Sequence, residues 1–163
     1  GAGADLLNGP LKEKQINILK GLAAFFVVIE AFLGWATNSK GGALTPIEGE
    51  VVQLVTAEKN QCTYCASAHT KVATGTGLSE EEVINIRRRQ SDDPKIQALI
   101  NFTAEAVDSA GNVSDATLQA FMDAGYSTEA AIEVVAGISV MTFTSFHNHT
   151  NDTEVYFPTI PKL

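Results

Sequence analysis

Apolar residues along this chain recur at three- and four-residue spacing. No stretch alternates apolar and polar positions long enough to specify a strand. The pattern predicts helices throughout. Residues 10–35 carry the first helical pattern, which ends at Lys40-Gly41-Gly42. Thr45-Pro46-Ile47-Glu48 is a helix start, with Thr45 as N-cap, Pro46 at the first helical position and Glu48 placed to close a capping box. That helix is predicted to run to about Asn60. The next should begin near Gln61–Cys62 and run to Thr74, where Gly75-Thr76-Gly77 stops it. Ser79 opens a short helix ending in Arg87-Arg88-Arg89, whose cations complement the helix dipole and are expected in solvent. Asp93-Pro94 starts another, ending near Gly111. Ser114 caps a short one through Ala124, terminated by Gly125, and Ser127 caps a long one running towards His147. The tail, DTEVYFPTIPKL, should be extended. With no internal repeat and no linker, residues 1–163 read as a single all-α domain.

The most apolar stretch, Gly21–Leu33, is shorter than the ~20 residues of a membrane span and is interrupted by Glu30. Lys12, Lys14 and Lys20 precede it as in a signal peptide, but no clean cleavage site follows. It is expected to be a helix buried in the core or between subunits, in a chain that does not enter a membrane. Eleven Lys and Arg against nineteen Asp and Glu give a net charge of −8, which disfavours nucleic acid as a partner. Two cysteines are too few for a disulfide-stapled secreted scaffold. Asn-x-Ser/Thr triplets at Asn101, Asn112, Asn148 and Asn151 would matter only in a secretory pathway, and the expectation is a cytoplasmic protein.

The chemistry concentrates in one segment. Cys62 and Cys65 are three residues apart near a helix start, so their side chains face the same way, about 5–6 Å apart at Cβ. A disulfide is within reach of that geometry, and a helix N-terminus favours the reactive thiolate. His69, four residues after Cys65, falls over it on the same face and can accept or relay a proton. Glu50, on the preceding helix, is placed to orient His69, although alone it reads as a solvated helix residue. Glu58 is expected on the solvent side. Zinc is the rival reading, with Cys62, Cys65, His69 and a fourth ligand such as His147 or His149. The absence of a second Cys pair in the sequence favours redox chemistry over metal.

The spacing of Glu50, eleven residues, Cys62-x-x-Cys65, three residues and His69 resembles the AhpD-like alkylhydroperoxidases of the carboxymuconolactone decarboxylase superfamily. GALTPIEGEVV, DPKIQALINFTAEAV, GNVSDATLQAFMDAGYS and the closing NHTNDTEVYFP resemble segments of the same group, so the likeness extends from about Ile29 onward. It implies an AhpD-like helical fold in which a two-helix hairpin carries the Cys-x-x-Cys motif. It also implies a homo-oligomer, a trimer or hexamer; no cofactor and no metal are expected. The implied substrates are a hydroperoxide and a dithiol reductant, with Cys65 as attacking thiolate, Cys62 as resolving thiol, and His69 and Glu50 as proton relay. Tyr64 and His149 are secondary candidates. Tyr64 stands where a mycobacterial member carries a relay His, and Gln61 replaces a Gly common before the first Cys.

Overall fold

The computed structural model describes residues 1–9, 12, 16–38 and 41–163, with no strand among them. Helices α1 (Ala2–Asn8), α2 (Asn17–Leu22) and α3 (Phe26–Asn38) form an N-terminal layer. After them come α4 (Pro46–Lys59), α5 (Thr63–Gly75), α6 (Glu80–Arg87), α7 (Pro94–Asp108), α8 (Asp115–Asp123) and α9 (Thr128–Thr150). The fold is all-α. Five of its helix starts are fixed by the side chains expected from sequence: Thr45, Ser79, Asp93, Ser114 and Ser127 each accept a hydrogen bond from a backbone N–H of the first turn. At Thr45 and Ser79 the reciprocal glutamate bond completes a capping box.

The 10–35 helix is a correction. The chain turns at residues 23–25 and divides the pattern into α2 and α3, while residues 10, 11 and 13–15 lie outside the described residues. Neither Pro nor a cap marks the turn; α1 crosses it so closely that a Cβ on Gly3 would overlap the Ala23 carbonyl. Gly21 lies against the α9 end, where a Cβ would come 2.7 Å from the His147 Nε2 and Asn151 Nδ2 side-chain atoms. Of the apolar Gly21–Leu33 stretch, Leu22 and Ile29 are buried whereas Phe25 and Val27 are exposed. Two helix ends also move: α7 stops at Asp108, before Gly111, and α9 continues past His147 to Thr150. Helix α9 is long and apolar enough to cross a membrane by length and composition only; one face buries Ala130, Val134, Met141 and Ser145, while Ile132, Val135 and Phe146 are exposed.

Helix α4 is central, packing on α5, α6, α7 and α9. Its Val51, Leu54 and Val55 are wholly buried in a first core that also holds Leu99, Ile100, Phe121 and Val134. Burial of each such side chain stabilises the fold by about 1.5–3 kcal/mol. Phe121 stacks between Phe102 and Tyr126, with ring centroids 4.4 and 4.5 Å away. A second core lies at the other end of α4. Ile18, Leu19 and Leu22 of α2, Ile29 of α3 and Met141 of α9 close around Cys62, Tyr64, Cys65 and Ala66, with Phe157 and Ile160 of the extended tail packed against them.

The arginine cluster departs from expectation. Arg88 is exposed, but the Arg87 side chain is buried, pairs with Glu58 and donates to the Pro161 carbonyl at 2.7 Å. Glu58 is therefore a partner to a buried cation rather than a solvated residue. Arg89 forks onto Asp108, and together with Lys59 it holds the Asp108 carboxyl down at about 2.

Candidate active site

The turn between α4 and α5 creates the site. Gln61 adopts φ 53°, the left-handed region, so that Cys62 can leave α4 and cap α5. The Cys62 sulfur accepts from the Cys65 backbone N–H at 3.2 Å, occupying the place usually taken by a Ser or Asp oxygen. Cys62 and Cys65 are joined in a disulfide with Cα atoms 5.2 Å apart, and they are only 1% and 3% exposed. The expected pairing of these two positions is what the structure holds.

One turn further along α5, His69 Nδ1 lies 2.7 Å from Glu50 Oε2 of α4. The two side chains are 28% and 15% exposed, so this pair sits at a boundary rather than in bulk water. A carboxylate at Nδ1 fixes the hydrogen there and leaves Nε2 as the basic nitrogen. Glu50 and His69 line a cavity of about 630 Å³ whose other walls are largely apolar, including Phe32, Trp35, Val72 and Met141. The arrangement is a buried disulfide at the start of α5 and, one helical turn on, an imidazole oriented by a carboxylate at the wall of an apolar cavity.

Helix α9 closes the site from the opposite side. Asn148 Nδ2 donates to Cys65 Sγ at 3.4 Å and to Cys62 Sγ at 3.9 Å, and Ser145 Oγ lies 3.6 Å from Cys65 Sγ. Among the described residues these groups and the Cys65 amide are the sulfurs' hydrogen-bond partners, and His69 is not one of them. Asn148 and Ser145 were not foreseen. In sequence Asn148 is one of four Asn-x-Ser/Thr triplets, and the available signal was a polar pair, i and i+3, on the same face as Met141 in an otherwise apolar helix.

The secondary candidates separate from the site. His149 is exposed, because a helix turns about 100° per residue and Asn148 takes the position facing the sulfurs. Tyr64 is buried but points away: its hydroxyl accepts from the Ile18 N–H at 3.3 Å, and its ring meets Phe157 edge-on at 5.2 Å. Burial pushes its pKa up to about 12, so it stays a neutral anchor for α2 and the tail. His147, the other zinc-ligand candidate, is aimed at Gly21, where burial lowers its pKa and leaves Nε2 without a partner. Among the described residues no three His, Cys, Asp or Glu side chains gather as metal ligands would.

Comparison with known proteins places this geometry in context. Residues 28–105 match the carboxymuconolactone decarboxylase family. No curated protein matches the chain by sequence. An uncharacterized peroxidase-related protein from Ralstonia eutropha JMP134, described as an alkylhydroperoxidase AhpD core, superposes with a TM-score of 0.78 at 21% identity, covering 86% of this chain and 78% of its own. The debrominase Bmp8, as a cysteine-to-alanine variant in complex with 2,3,4-tribromopyrrole, gives 0.74 at 20% identity over 85% of this chain and 75% of its own. A peroxidase-related protein from Silicibacter sp. TM1040 gives 0.73 at 15% identity over 82% and 74%. At these identities the likeness is one of fold.

Proposed function

We propose, because the chain belongs to the carboxymuconolactone decarboxylase superfamily and has the AhpD-like fold, that it is a thiol-dependent peroxidase acting on alkyl hydroperoxides. The observation that carries this reading is the coincidence, on one helix, of a Cys62–Cys65 disulfide and a His69 bonded to Glu50 at 2.7 Å. An inert pair of buried thiols needs no oriented base beside it. The apolar cavity at His69 suits an organic hydroperoxide better than hydrogen peroxide, which gains nothing from apolar walls.

In the cycle, the Cys65 thiolate attacks the distal peroxide oxygen. The S–O bond forms as the O–O bond breaks, and the alkoxide leaves with a proton supplied through His69. Cys62 then attacks the Cys65 sulfenic acid; the S–S bond forms and the hydroxyl departs as water. An external dithiol returns both sulfurs to thiols and is itself oxidised to a disulfide. Glu50 acts through His69, since a carboxylate directly beside the thiolate would oppose its charge.

In this reading residues 1–163 act as one domain in a reducing, cytoplasmic compartment, where a dithiol can regenerate the pair. The exposed apolar residues Phe25, Val27 and Trp35 of the N-terminal layer and Ile132, Val135 and Phe146 of α9 belong to contacts between copies in a homo-oligomer. The decisive assay is consumption of cumene hydroperoxide with dithiothreitol or dihydrolipoamide as reductant. Wild type should turn over and Cys65→Ser should not. Disulfide exchange without peroxide turnover would replace this reading with a general disulfide reductase.

A further inference from the structure

The chemistry above draws on α4 and α5, yet the side chains that touch the sulfurs come from α9, 80 and 83 residues further along the chain. Ser145 is wholly buried and Asn148 is 4% exposed. Behind Ser145, Asn60 Nδ2 donates to its Oγ at 3.4 Å and to Thr142 Oγ1 at the same distance. With Asn60 filling an acceptor position, the Ser145 hydroxyl hydrogen is left for Cys65 Sγ at 3.6 Å. Asn148 shows the same bias towards donation. Its Nδ2 is spent on the sulfurs while its Oδ1 is buried without a partner.

Packing does not account for this arrangement. A neutral disulfide sulfur is a weak acceptor, and leaving an amide oxygen buried and unpaired carries a cost. Two donors aimed at one sulfur suit a charged acceptor, to which hydrogen bonds are shorter and roughly twice as strong. The Cys62 sulfur already has a donor of its own in the Cys65 backbone N–H at 3.2 Å.

We infer that Asn148 and Ser145 form a donor pair on α9 that stabilises the Cys65 sulfur as a thiolate, with Asn60 positioning the Ser145 hydroxyl. The inference rests on the disulfide-cycle reading of the Cys pair. It weights the site by element: the α5 helix start serves Cys62 at 3.2 Å, and α9 serves chiefly Cys65, with Asn148 reaching Cys62 only at 3.9 Å. The pair also supplies a reason, independent of the family likeness, for Cys65 to be the attacking sulfur.

The test isolates each thiol in the full-length, reduced protein and needs no peroxide. In a Cys62→Ser background, where serine keeps the helix cap, iodoacetamide alkylation rates against pH give the Cys65 pKa. Asn148→Ala should raise it by about one to two units, the worth of a hydrogen bond to a charged group. Ser145→Ala should raise it less. Asn60→Ala should act in the same direction, and its effect should vanish once Ser145 is alanine. In the Cys65→Ser background the same changes should move the Cys62 pKa by clearly less than they move that of Cys65, since Asn148 is 3.9 Å from Cys62 Sγ against 3.4 Å from Cys65 Sγ and Ser145 bonds only Cys65. If Asn148→Ala does not fold, Asn148→Asp decides, since it keeps the shape and sets a negative charge at the sulfur, raising the Cys65 pKa further. A Cys65 pKa unmoved in folded Asn148→Ala or Asn148→Asp and in Ser145→Ala, or an equal shift at both cysteines, overturns the inference. Shifts as described in a protein without peroxide turnover uphold it and count against the peroxidase reading instead.

Discussion

The two cores of this molecule are built on opposite terms. The first, around Val51, Leu54, Leu99 and Phe121, is aliphatic and aromatic, and its one buried carboxylate, Glu48, is fully engaged. Glu48 accepts from the Thr45 N–H at 2.8 Å and the Tyr126 hydroxyl at 3.0 Å, and pairs with Lys95 at 3.1 Å. The second core surrounds sulfur, and it contains or borders Asn148 Oδ1 and His147 Nε2, both buried and unpartnered. Thr70 Oγ1, Arg87 Nη1 and Ser109 Oγ are also buried without partners, and what distinguishes Asn148 among them is that its amide meets the sulfurs. On the proposed function, stability and chemistry have separate seats here, joined through α4 and α9.

If that division holds, changes in one region should leave the other's property alone. The largest effect expected is on turnover. His69→Ala should slow peroxide reduction by about 10²–10⁴-fold, the usual worth of general acid–base assistance, and Glu50→Gln should follow in the same direction. Both should leave the urea midpoint close to that of wild type. Phe121→Ala reverses the pattern. Truncating a fully buried ring that stacks on two others should cost about 3–5 kcal/mol in urea unfolding, while the alkylation rate of the reduced cysteines at 25 °C stays unchanged. A midpoint collapse in His69→Ala, or altered thiol reactivity in Phe121→Ala, would break the division.

Acid should reach the two cores in different windows. Burial holds the His147 pKa below its ordinary 6.5, so the unfolded chain takes up that proton first. The contribution of neutral His147 to stability is therefore present above about pH 6.5 and lost as pH falls below it. For Glu48, burial alone would raise the pKa. The hydrogen bonds from Thr45, Lys95 and Tyr126 outweigh it and hold the group below its ordinary 4.5. Its contribution is present above that value and lost as pH drops through the lower folded one. Urea midpoints measured from pH 8 to 3 should show a decline below about 6.5 that His147→Gln removes. A second decline, below about 4.5, should persist in that variant and flatten in Glu48→Gln.

How much of this could be read from the sequence follows the same line between local and distant causes. The starts of α4, α6, α7, α8 and α9 were legible because a cap acts within three residues of itself, as Thr45 does on the Glu48 N–H at 3.2 Å. Glu50, Cys62, Cys65 and His69 were legible because their spacing is itself the signal. The turn at residues 23–25 was not, since neither Pro nor a cap marks it and the contact made there, with Gly3 of α1, comes from 20 residues away. Arg87 looked like a solvated helix end. Its burial is imposed by the tail, which brings the Pro161 carbonyl to it from 74 residues away. No motif ties Asn148 or Ser145 to the cysteines; only the packing of α9 against the start of α5 gives them a sulfur to meet.

The smallest effect expected concerns the joint between the two cores. Gln61 is the residue at which α4 ends and Cys62 is presented, and its φ of 53° is one that side chains with a Cβ adopt at a cost of roughly 1–2 kcal/mol. Glycine would remove that cost, but it would also give the unfolded chain more freedom, worth about 0.5–1 kcal/mol. The two terms oppose each other, so Gln61→Gly should stabilise the fold by between zero and about 1.5 kcal/mol. The neighbouring bonds that fix the turn, Gln61 N–H to the Glu58 carbonyl at 3.0 Å and Cys62 N–H to the Ala57 carbonyl at 3.1 Å, use only backbone and survive the change. Peroxide turnover should therefore stay within about twofold of wild type, since the cap at Cys62 keeps its geometry. A large loss of turnover with gained stability would mean that Gln61 is strained to serve the sulfurs, and the joint would then belong to the chemical region rather than to the scaffold.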